Sequence, residues 1–466
     1  MRITDKYIKT GYFWLPGKED IKIPGVLSII DGGEAELEII GHFDGIESFN
    51  SPDDLDRILG LVEGDGLVTL DHCFYTKKNF AFGGISKSII FVNKVFCGAN
   101  WDKDATISFN TFSFEVDCLD EWVGISGIAV DGDDPRLKTT ITYTPPEKRI
   151  FELANGMTLE IGFAYTLPGS PNLKEAKVTQ RTYFRLVSEE LHELNEFIGI
   201  ASKITNFMCF AIDDVVSIKN VSATSYEIQR NIGEKKYPVP IKIYYQSTTY
   251  VEKVPNKSWH NMLFTFGTIQ DNAQDVFNNW LNAYEYLAPA MNLYFSTKMD
   301  AQKYLEGKFL ALAQGLETYH RRTSNETLMD TDAFSKLVEE IIHGCPEDKR
   351  EWLQGRLMHG NELNLGKRLK CIIEPFKEYL GNKSERGKLL RSIVNTRNYF
   401  THYSESLESE AANGAALWEI CEKIEAIFNL HFLKVIGFTT EEISSVVKNS
   451  RSLHGKLKDK DLLKLT

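Results

Sequence analysis

The sequence lacks the signatures of several common classes of site. No C-x-x-C pair occurs among the seven cysteines, which are scattered at positions 73, 97, 118, 209, 345, 371 and 421. Scattered cysteines indicate reduced thiols in a cytosol rather than a disulfide framework, and their spacing predicts no zinc site. The phosphate loop G-x-x-x-x-G-K-[ST] and the zinc motif H-E-x-x-H are also missing. We therefore expect no metal and no cofactor.

An excess of positive charge is missing as well. The 466 residues carry a formal net charge of -12, and 25% of them are charged while 42% are hydrophobic. These proportions are typical of a globular protein. The negative balance argues against a protein that coats nucleic acid through its global charge, although a local basic patch can still bind RNA. Since no stretch is long and apolar enough to cross a bilayer, we expect a cytoplasmic protein with no membrane partner.

Two kinds of hydrophobic periodicity divide the chain near residue 270. Before that point, short strand-like runs recur about ten residues apart, with hairpin turns at Gly32-Gly33 and Asn155-Gly156, which predicts a sandwich or open barrel. From Asn272 onward the periodicity is helical and predicts an all-α bundle. The expected fold class is α+β multidomain, with a β-rich domain over residues 1–268 and an all-α domain over residues 269–466.

Local patterns add two finer expectations. Ser188 is a suitable N-cap for a helix that runs to about Met208. In the α-domain, apolar residues at helical spacing are expected to face the bundle, and Leu337, Ile341 and Trp352 are assigned to its middle elements. Interleaved aromatic residues of the β-rich part are expected to pack in the core rather than to stack on bases; they include Trp14, Phe43, Trp101 and Trp122.

The string RNYFTH at residues 397–402 carries the candidate chemistry. In a helix over this region, Arg397 projects from an apolar stripe that contains Ile393 and Val394, so we expect it to be largely desolvated and to need a carboxylate or an anionic ligand. Asn398 and His402 lie one turn apart on a different face. The arginine and the histidine diverge by about 140° around the helix axis, which favours two copies facing each other across a dimer axis.

A guanidinium and an imidazole are sufficient for phosphodiester cleavage without a metal. Histidine can move the proton of a ribose 2′-hydroxyl or of the leaving oxygen, and arginine can hold the phosphate oxygens as charge develops on them. The alternative from spacing alone is structural. In that interpretation Arg397 is an ion-pair residue and His402 caps the end of a helix.

The string resembles the R-N-x-x-x-H signature of the HEPN superfamily, many of whose members are metal-independent ribonucleases. The segments KFL at 308–310 and GLETYH at 315–320 are similar to those of the ApeA-type branch. The N-terminal part resembles the same branch in the order of its strands and in its tryptophans and glycines, over 11–16 and 121–124.

The resemblance implies a bacterial anti-phage, abortive-infection endoribonuclease that cuts RNA, with tRNA as one candidate substrate. His402 would be the general acid or base, Arg397 would stabilise the phosphate, and Asn398 would orient the imidazole or the phosphate. It also implies a homodimer or higher homo-oligomer through the α-domain, a phage-encoded trigger as a further partner, and a sensing, guiding or oligomerising role for the β-rich domain. The alternative is a non-catalytic HEPN module that binds a nucleotide, RNA or a partner protein.

Charged residues around the string have two interpretations. Glu317 is the candidate carboxylate for Arg397, and a solvated surface glutamate is the alternative. The basic residues either form solvated helix faces or contact the phosphates of a folded RNA; they are Arg321, Arg322, Lys367, Arg368, Arg386, Lys388 and Arg391. We assign no chemistry to the other histidines of the α-domain, His320, His343, His359 and His431, because their spacing is not that of metal ligands.

Overall fold

The computed structural model describes residues 1–45, 52–81, 83–132, 138–169, 174–299 and 302–457, which form two compact units, Met1–Leu281 and Asn282–Thr466. The division lies a little beyond the predicted boundary at 268/269, and residues 458–466 of the predicted α-domain lie outside the described part. The first unit is rich in β-strands and the second is helical, which confirms the predicted fold class. No helix of the described residues combines the length and the apolar character needed to span a bilayer.

The first unit contains many strands, several of which alternate between buried and exposed side chains. The strands are β1 (Tyr7–Trp14), β2 (Ile23–Ile29), β3 (Ala35–Ile40), β4 (Asp54–Val62), β5 (Gly66–Asn79), β6 (Lys87–Cys97), β7 (Ser108–Val116), β8 (Ile128–Asp131), β9 (Thr140–Tyr143), β10 (Arg149–Glu152), β11 (Thr158–Thr166), β12 (Thr179–Glu193), β13 (Ile218–Thr224), β14 (Gln229–Ile232), β15 (Lys235–Pro238) and β16 (Ile241–Tyr245).

The helices are concentrated after residue 265. They are α1 (Leu119–Val123), α2 (Leu194–Ile212), α3 (Phe266–Ile269), α4 (Ala273–Lys298), α5 (Leu305–Thr323), α6 (Thr331–His343), α7 (Arg350–Leu357), α8 (Leu365–Ile373), α9 (Lys383–His402), α10 (Glu405–Glu408), α11 (Gly414–Val435), α12 (Thr440–Asn449) and α13 (Arg451–Leu457), with 3₁₀ turns at Trp259–Asn261, Glu347–Lys349 and Glu374–Tyr379.

A closed barrel forms the first part of the β-rich unit. Antiparallel strands pair in the order β6-β3-β2-β1-β4-β5, and β5 pairs again with β6 to close the ring. The inward side chains fill a single apolar core that includes Phe13, Leu37 and Ile90. The predicted hairpin at Gly32-Gly33 joins β2 to β3, and a side chain at Gly33 would collide with the carbonyl oxygen of Tyr245.

The sheet continues beyond the barrel from β6 through β16, β13, β7, β12, β11 and β10. Helix α2 packs on β7 and β12, where Phe197 stacks on Phe112 with ring centroids 5.7 Å apart. Its predicted start at Ser188 is wrong, because β12 extends to Glu193 and Glu193 is the N-cap. Pairing of His192 with Phe109 on β7 outweighs the local capping preference of Ser188.

The predicted core role of the four aromatic residues is confirmed. Trp14, Phe43, Trp101 and Trp122 are all buried, with the Trp122 indole N–H donating to the carbonyl oxygen of Phe264 at 3.0 Å. None of these rings therefore offers a free face to a base.

The second unit is built around α11, which packs on α5 and α13. Helices α5 and α11 approach so closely that a methyl group at Gly315 would lie 2.9 Å from the Phe428 ring. Helix α5 also contacts α8 and α9. This packing places α5 beside the C-terminal half of α9, where the rings of Phe309 and Phe400 meet edge to face with their centroids 6.1 Å apart.

A buried carboxylate joins four helices of this unit. Glu425 on α11 is 1% exposed and is paired with Lys298, Lys308 at 2.7 Å and Lys456 at 2.9 Å. Burial alone would raise the pKa of Glu425, but the charges of Lys298, Lys456 and Lys308 outweigh it and lower the pKa far below its ordinary value of 4.5.

We predict that Glu425→Gln lowers the free energy of unfolding by about 3 kcal/mol, because it removes the common partner of three partly buried ammonium groups. The folded-state pKa is depressed, so the contribution of Glu425 is complete above pH 4.5 and is lost as the pH falls below that value. Denaturant unfolding of the wild type and of Glu425→Gln, at neutral pH and in acid, measures the difference in stability. The exposed α6 change Glu340→Gln is the control, and equal stability of all three proteins at neutral pH would contradict the prediction.

Candidate functional site

Helix α9 carries the candidate residues and has well-defined ends. Asn382 caps its N-terminus by accepting from the backbone N–H groups of Ser384 and Glu385, and the Glu385 carboxylate accepts from the Asn382 N–H in return. Tyr403 ends the helix in a left-handed conformation with a φ of 49°. Arg397 and Asn398 therefore lie on regular helix, and His402 lies in its last turn.

Arg397 is half-buried, with 34% of its side chain exposed. The expectation of a largely desolvated arginine is therefore wrong. The apolar stripe of α9 lies at the edge of the unit, where Ile393 is buried but Val394 and Phe400 are only partly covered. The guanidinium thus lies near an apolar surface with part of its edge open to solvent.

Two partners hold the Arg397 guanidinium. Glu317 on α5 places its Oε2 3.6 Å from Nη2, and Nη1 donates to the Asn398 side-chain oxygen at 3.4 Å. Both distances are long for a hydrogen bond of a charged group, so the guanidinium keeps donor capacity for an anion. The Thr401 hydroxyl donates to the Arg397 carbonyl oxygen at 2.7 Å, the bond to the i−4 carbonyl that a threonine in a helix often makes.

His402 is exposed, and its ring makes no hydrogen bond or ion pair within the described part of the chain. A surface imidazole with both nitrogens open can exchange a proton with a bound substrate. It does not act as a side-chain cap of α9, because the backbone N–H of Tyr403 makes the closing bond to the Tyr399 carbonyl oxygen.

Glu317 belongs to a row of alternating charges. Its Oε1 accepts from Arg321 Nη2 at 3.1 Å, Arg321 also pairs with Glu362, and Glu362 accepts from Arg368 at 3.3 Å. Because Arg321 neutralises Glu317 on one side, the carboxylate is left with a weak hold on Arg397 on the other. The i, i+4 spacing of Glu317 and Arg321 is visible in the sequence, but the participation of Glu362 is not, since it comes from a distant segment.

The predicted basic residues divide into two groups. Three are occupied by the protein itself: Arg321 by its two carboxylates, Arg386 by the carbonyl oxygens of Lys377 and Gly381, and the buried Arg368 by Leu363 O, Glu362 and His320. Arg368 in particular offers no surface to a phosphate. The others are exposed and their side chains make no hydrogen bond or ion pair within the described ranges; they are Arg322, Lys367, Lys388 and Arg391.

Lys388 and Arg391 share one side of α9 with Asn398 and His402. At about 100° per residue the four positions fall within roughly 80° around the axis, whereas Arg397 lies about 140° from His402. We call Lys388, Arg391, Asn398 and His402 the histidine face of α9.

One group of side chains has the composition of a metal site. Ligand-type atoms of His320, Glu326 and Cys371 lie within 4.8 Å of one another. Arg368 Nη1 lies 3.2 Å from His320 Nδ1, and because a guanidinium can only donate, Nδ1 must accept and the proton must reside on Nε2. Neither nitrogen then has a free lone pair for a cation, and burial together with the Arg368 charge lowers the pKa of His320. We assign no metal to this cluster.

Two further histidines of the unit, His431 and His359, have partners in the protein itself. His431 lies between Tyr319 and Phe376, and its Nε2 is 3.0 Å from the Ile372 carbonyl oxygen. Burial lowers the pKa of His431 to about 4. His359 pairs with Glu362 at the surface.

Family comparisons cover both units. Residues 8–280 match ApeA N-terminal domain 1, and residues 310–442 match the Apea-like HEPN domain. The chain belongs to the ApeA family. This confirms the predicted identity as an ApeA-type HEPN anti-phage protein, with a C-terminal domain of the HEPN nuclease type. No curated protein and no solved structure matches the chain.

The HEPN match of this ApeA protein includes every residue of the candidate site. Arg397, Asn398 and His402 fall inside it, as does the Glu317 carboxylate beside the arginine. The match assigns the domain and does not by itself assign a role to any of these side chains.

Proposed function

We propose that the protein is a metal-independent endoribonuclease that acts in the cytoplasm and cleaves RNA at the Arg397/His402 site. One observation carries the proposal. A partly exposed guanidinium with spare donors and an imidazole without a partner among the described residues lie five residues apart on a helix of the HEPN domain. If His402 were a structural cap of α9, its ring would be expected to contact a carbonyl oxygen at the end of that helix.

The reaction follows from what the two groups can do. His402 accepts the proton of the ribose 2′-hydroxyl, whose oxygen then attacks the adjacent phosphorus while the bond to the 5′-oxygen breaks. Arg397 donates hydrogen bonds to the non-bridging oxygens as they gain charge, and Asn398 holds the guanidinium in place. The leaving 5′-oxygen takes a proton from solvent water, and His402 returns its proton to solvent, so the products are a 2′,3′-cyclic phosphate and a 5′-hydroxyl.

The site is incomplete in one copy of the chain. Arg397 faces Glu317 on α5, whereas the histidine face points away by about 140°, so one helix aims the two groups poorly at one phosphate. Two copies related by a two-fold axis could present the arginine of one and the histidine of the other to the same phosphate. Tyr403, which is 68% exposed, and the partly buried Phe400 would supply apolar surface for that contact.

Mixing two inactive variants tests the composite site. Arg397→Ala and His402→Ala proteins are each expected to be inactive, and co-expressed mixed dimers are expected to regain up to about half of the wild-type rate, since only one of the two sites in such a dimer is intact. The control is a mixture of His402→Ala with a His402→Ala, Arg397→Ala double variant, which should stay inactive. A monomer that cuts RNA at the full rate would rule out the arrangement.

The histidine face also predicts how RNA is held. We expect Lys388→Glu together with Arg391→Glu to weaken RNA binding by about tenfold or more and to make binding less dependent on salt, because two phosphate contacts are lost. Filter binding or anisotropy at several salt concentrations measures both effects. Lys434→Glu together with Lys448→Glu, at exposed positions of α11 and α12, changes the net charge equally and is the control for charge alone. An equal loss of affinity in that variant would contradict a specific role for the histidine face.

A further inference from the structure

Helices α6 and α7 form a hairpin that is outside the core of the helical unit. No residue of either helix is buried, in contrast to the expectation that Leu337, Ile341 and Trp352 belong to the packed bundle. Trp352 is 61% exposed, and both Leu337 and Ile341 lie at the surface. Apolar side chains at helical spacing are therefore displayed rather than covered.

The base of this hairpin is held firmly. The Leu328 and Met329 N–H groups donate to the backbone and side-chain oxygens of Asn361, and the Asn361 amide donates back to the Met329 carbonyl oxygen at 3.0 Å. Asp330 caps α6 by accepting from two backbone N–H groups. The chain thus presents the hairpin in a defined orientation at its root.

Both helices are short for elements without a packed face. Helix α6 has 13 residues and α7 has 8, and isolated helices below about 12–15 residues are marginal in water. Their stability normally comes from burying an amphipathic face against another element. Because the apolar side chains of α6 and α7 are not covered by another element, they favour a role in binding a partner.

A groove between α6 and α7 has room for a segment of a partner. It has a volume of about 710 Å³, and its apolar floor is formed by Phe334, Val338, Leu357 and Met358. Two carboxylates, Glu339 from α6 and Glu351 from α7, also line it, and neither makes an ion pair among the described residues. No lysine or arginine is among the lining residues.

We propose that this groove is a docking site for a basic amphipathic helix of a partner protein. A partner helix with an apolar stripe flanked by lysine or arginine is complementary to this groove. Its stripe would cover the apolar floor, and its basic residues would neutralise Glu339 and Glu351. A second copy of the same hairpin is disfavoured, because an isologous contact would bring these carboxylates together. Met358, which is 71% exposed, gives the floor an adaptable side chain.

The proposal is tested with the full-length chain and a labelled peptide of leucine and lysine about 18 residues long that forms an amphipathic helix. Fluorescence anisotropy should show saturable binding. The variant E339K/E351K should weaken it by about tenfold or more, because both counter-charges become repulsive. The variant E340K/E347K changes the net charge equally on the same hairpin but outside the groove, and it should bind within about twofold of wild type.

A second peptide separates groove binding from general attraction to an acidic protein. A scrambled peptide of the same composition without an apolar face should not bind measurably. Circular dichroism establishes that both charge variants keep their helices, since all four positions are exposed. Equal binding of the two charge variants, or of the two peptides, would overturn the proposal.

Discussion

His402→Ala should lower the rate of RNA cleavage by about 10²- to 10⁴-fold, the range lost when a general acid or base is removed. The stability of the protein should not change measurably, because the His402 ring is exposed and makes no hydrogen bond or ion pair within the described part of the chain. The measurement is single-turnover cleavage of a defined RNA, together with denaturant unfolding of both proteins. His343→Ala, which removes another exposed histidine of the same unit, is the matched control.

The result that would contradict this assignment is a His402→Ala protein that unfolds like the wild type and cuts RNA at the same rate. A large loss of stability would be equally informative. It would favour the interpretation of His402 as a structural cap of α9, which the geometry of Tyr403 opposes.

Arg397→Ala should lower the cleavage rate by about 10²- to 10³-fold, the loss typical of removing a donor from a developing oxyanion. A cost in stability of about 1 kcal/mol or less is expected, because Glu317 remains paired with Arg321 and is not left as an isolated buried charge. Arg397→Lys retains the charge but loses the planar fork, so its activity should lie between those of the wild type and the alanine variant.

Glu317→Gln distinguishes a positioning carboxylate from a bystander. If Glu317 aligns Arg397, its loss should lower kcat while RNA affinity stays unchanged or rises, because a negative charge near the phosphate has been removed. Loss of activity in Glu317→Gln with normal activity in Arg397→Ala would contradict the assignment of Arg397 to the phosphate.

Local pattern was sufficient to predict the two kinds of domain, the β2–β3 hairpin and the helix that carries Arg397, Asn398 and His402. These features depend on periodicity and turn chemistry, which neighbouring residues determine. Closure of the barrel could not be predicted, because it depends on β5 pairing with both β4 and β6 along its length. The prediction of where α2 begins was wrong for a similar reason, because pairing with the distant strand β7 keeps residues 188–193 extended.

Burial was the least predictable property of the site. The helical stripe of α9 correctly placed Ile393 in the core but overstated the burial of Arg397, because a sequence does not show whether an amphipathic helix lies in the middle or at the edge of a unit. The same limit applies to α6 and α7, whose apolar residues have regular spacing but no cover. Ion pairs between distant segments, such as Arg321 with Glu362, leave no local signal.

Cleavage of RNA in the presence of EDTA tests the central claim most directly. Purified wild-type protein and His402→Ala protein are incubated with total RNA in EDTA, and the new ends are sequenced by methods that distinguish a 2′,3′-cyclic phosphate from a 3′-hydroxyl. The account predicts new cyclic-phosphate and 5′-hydroxyl ends with the wild type and none with His402→Ala. Cleavage that EDTA abolishes and an added divalent metal restores, or new 3′-hydroxyl ends, would contradict it.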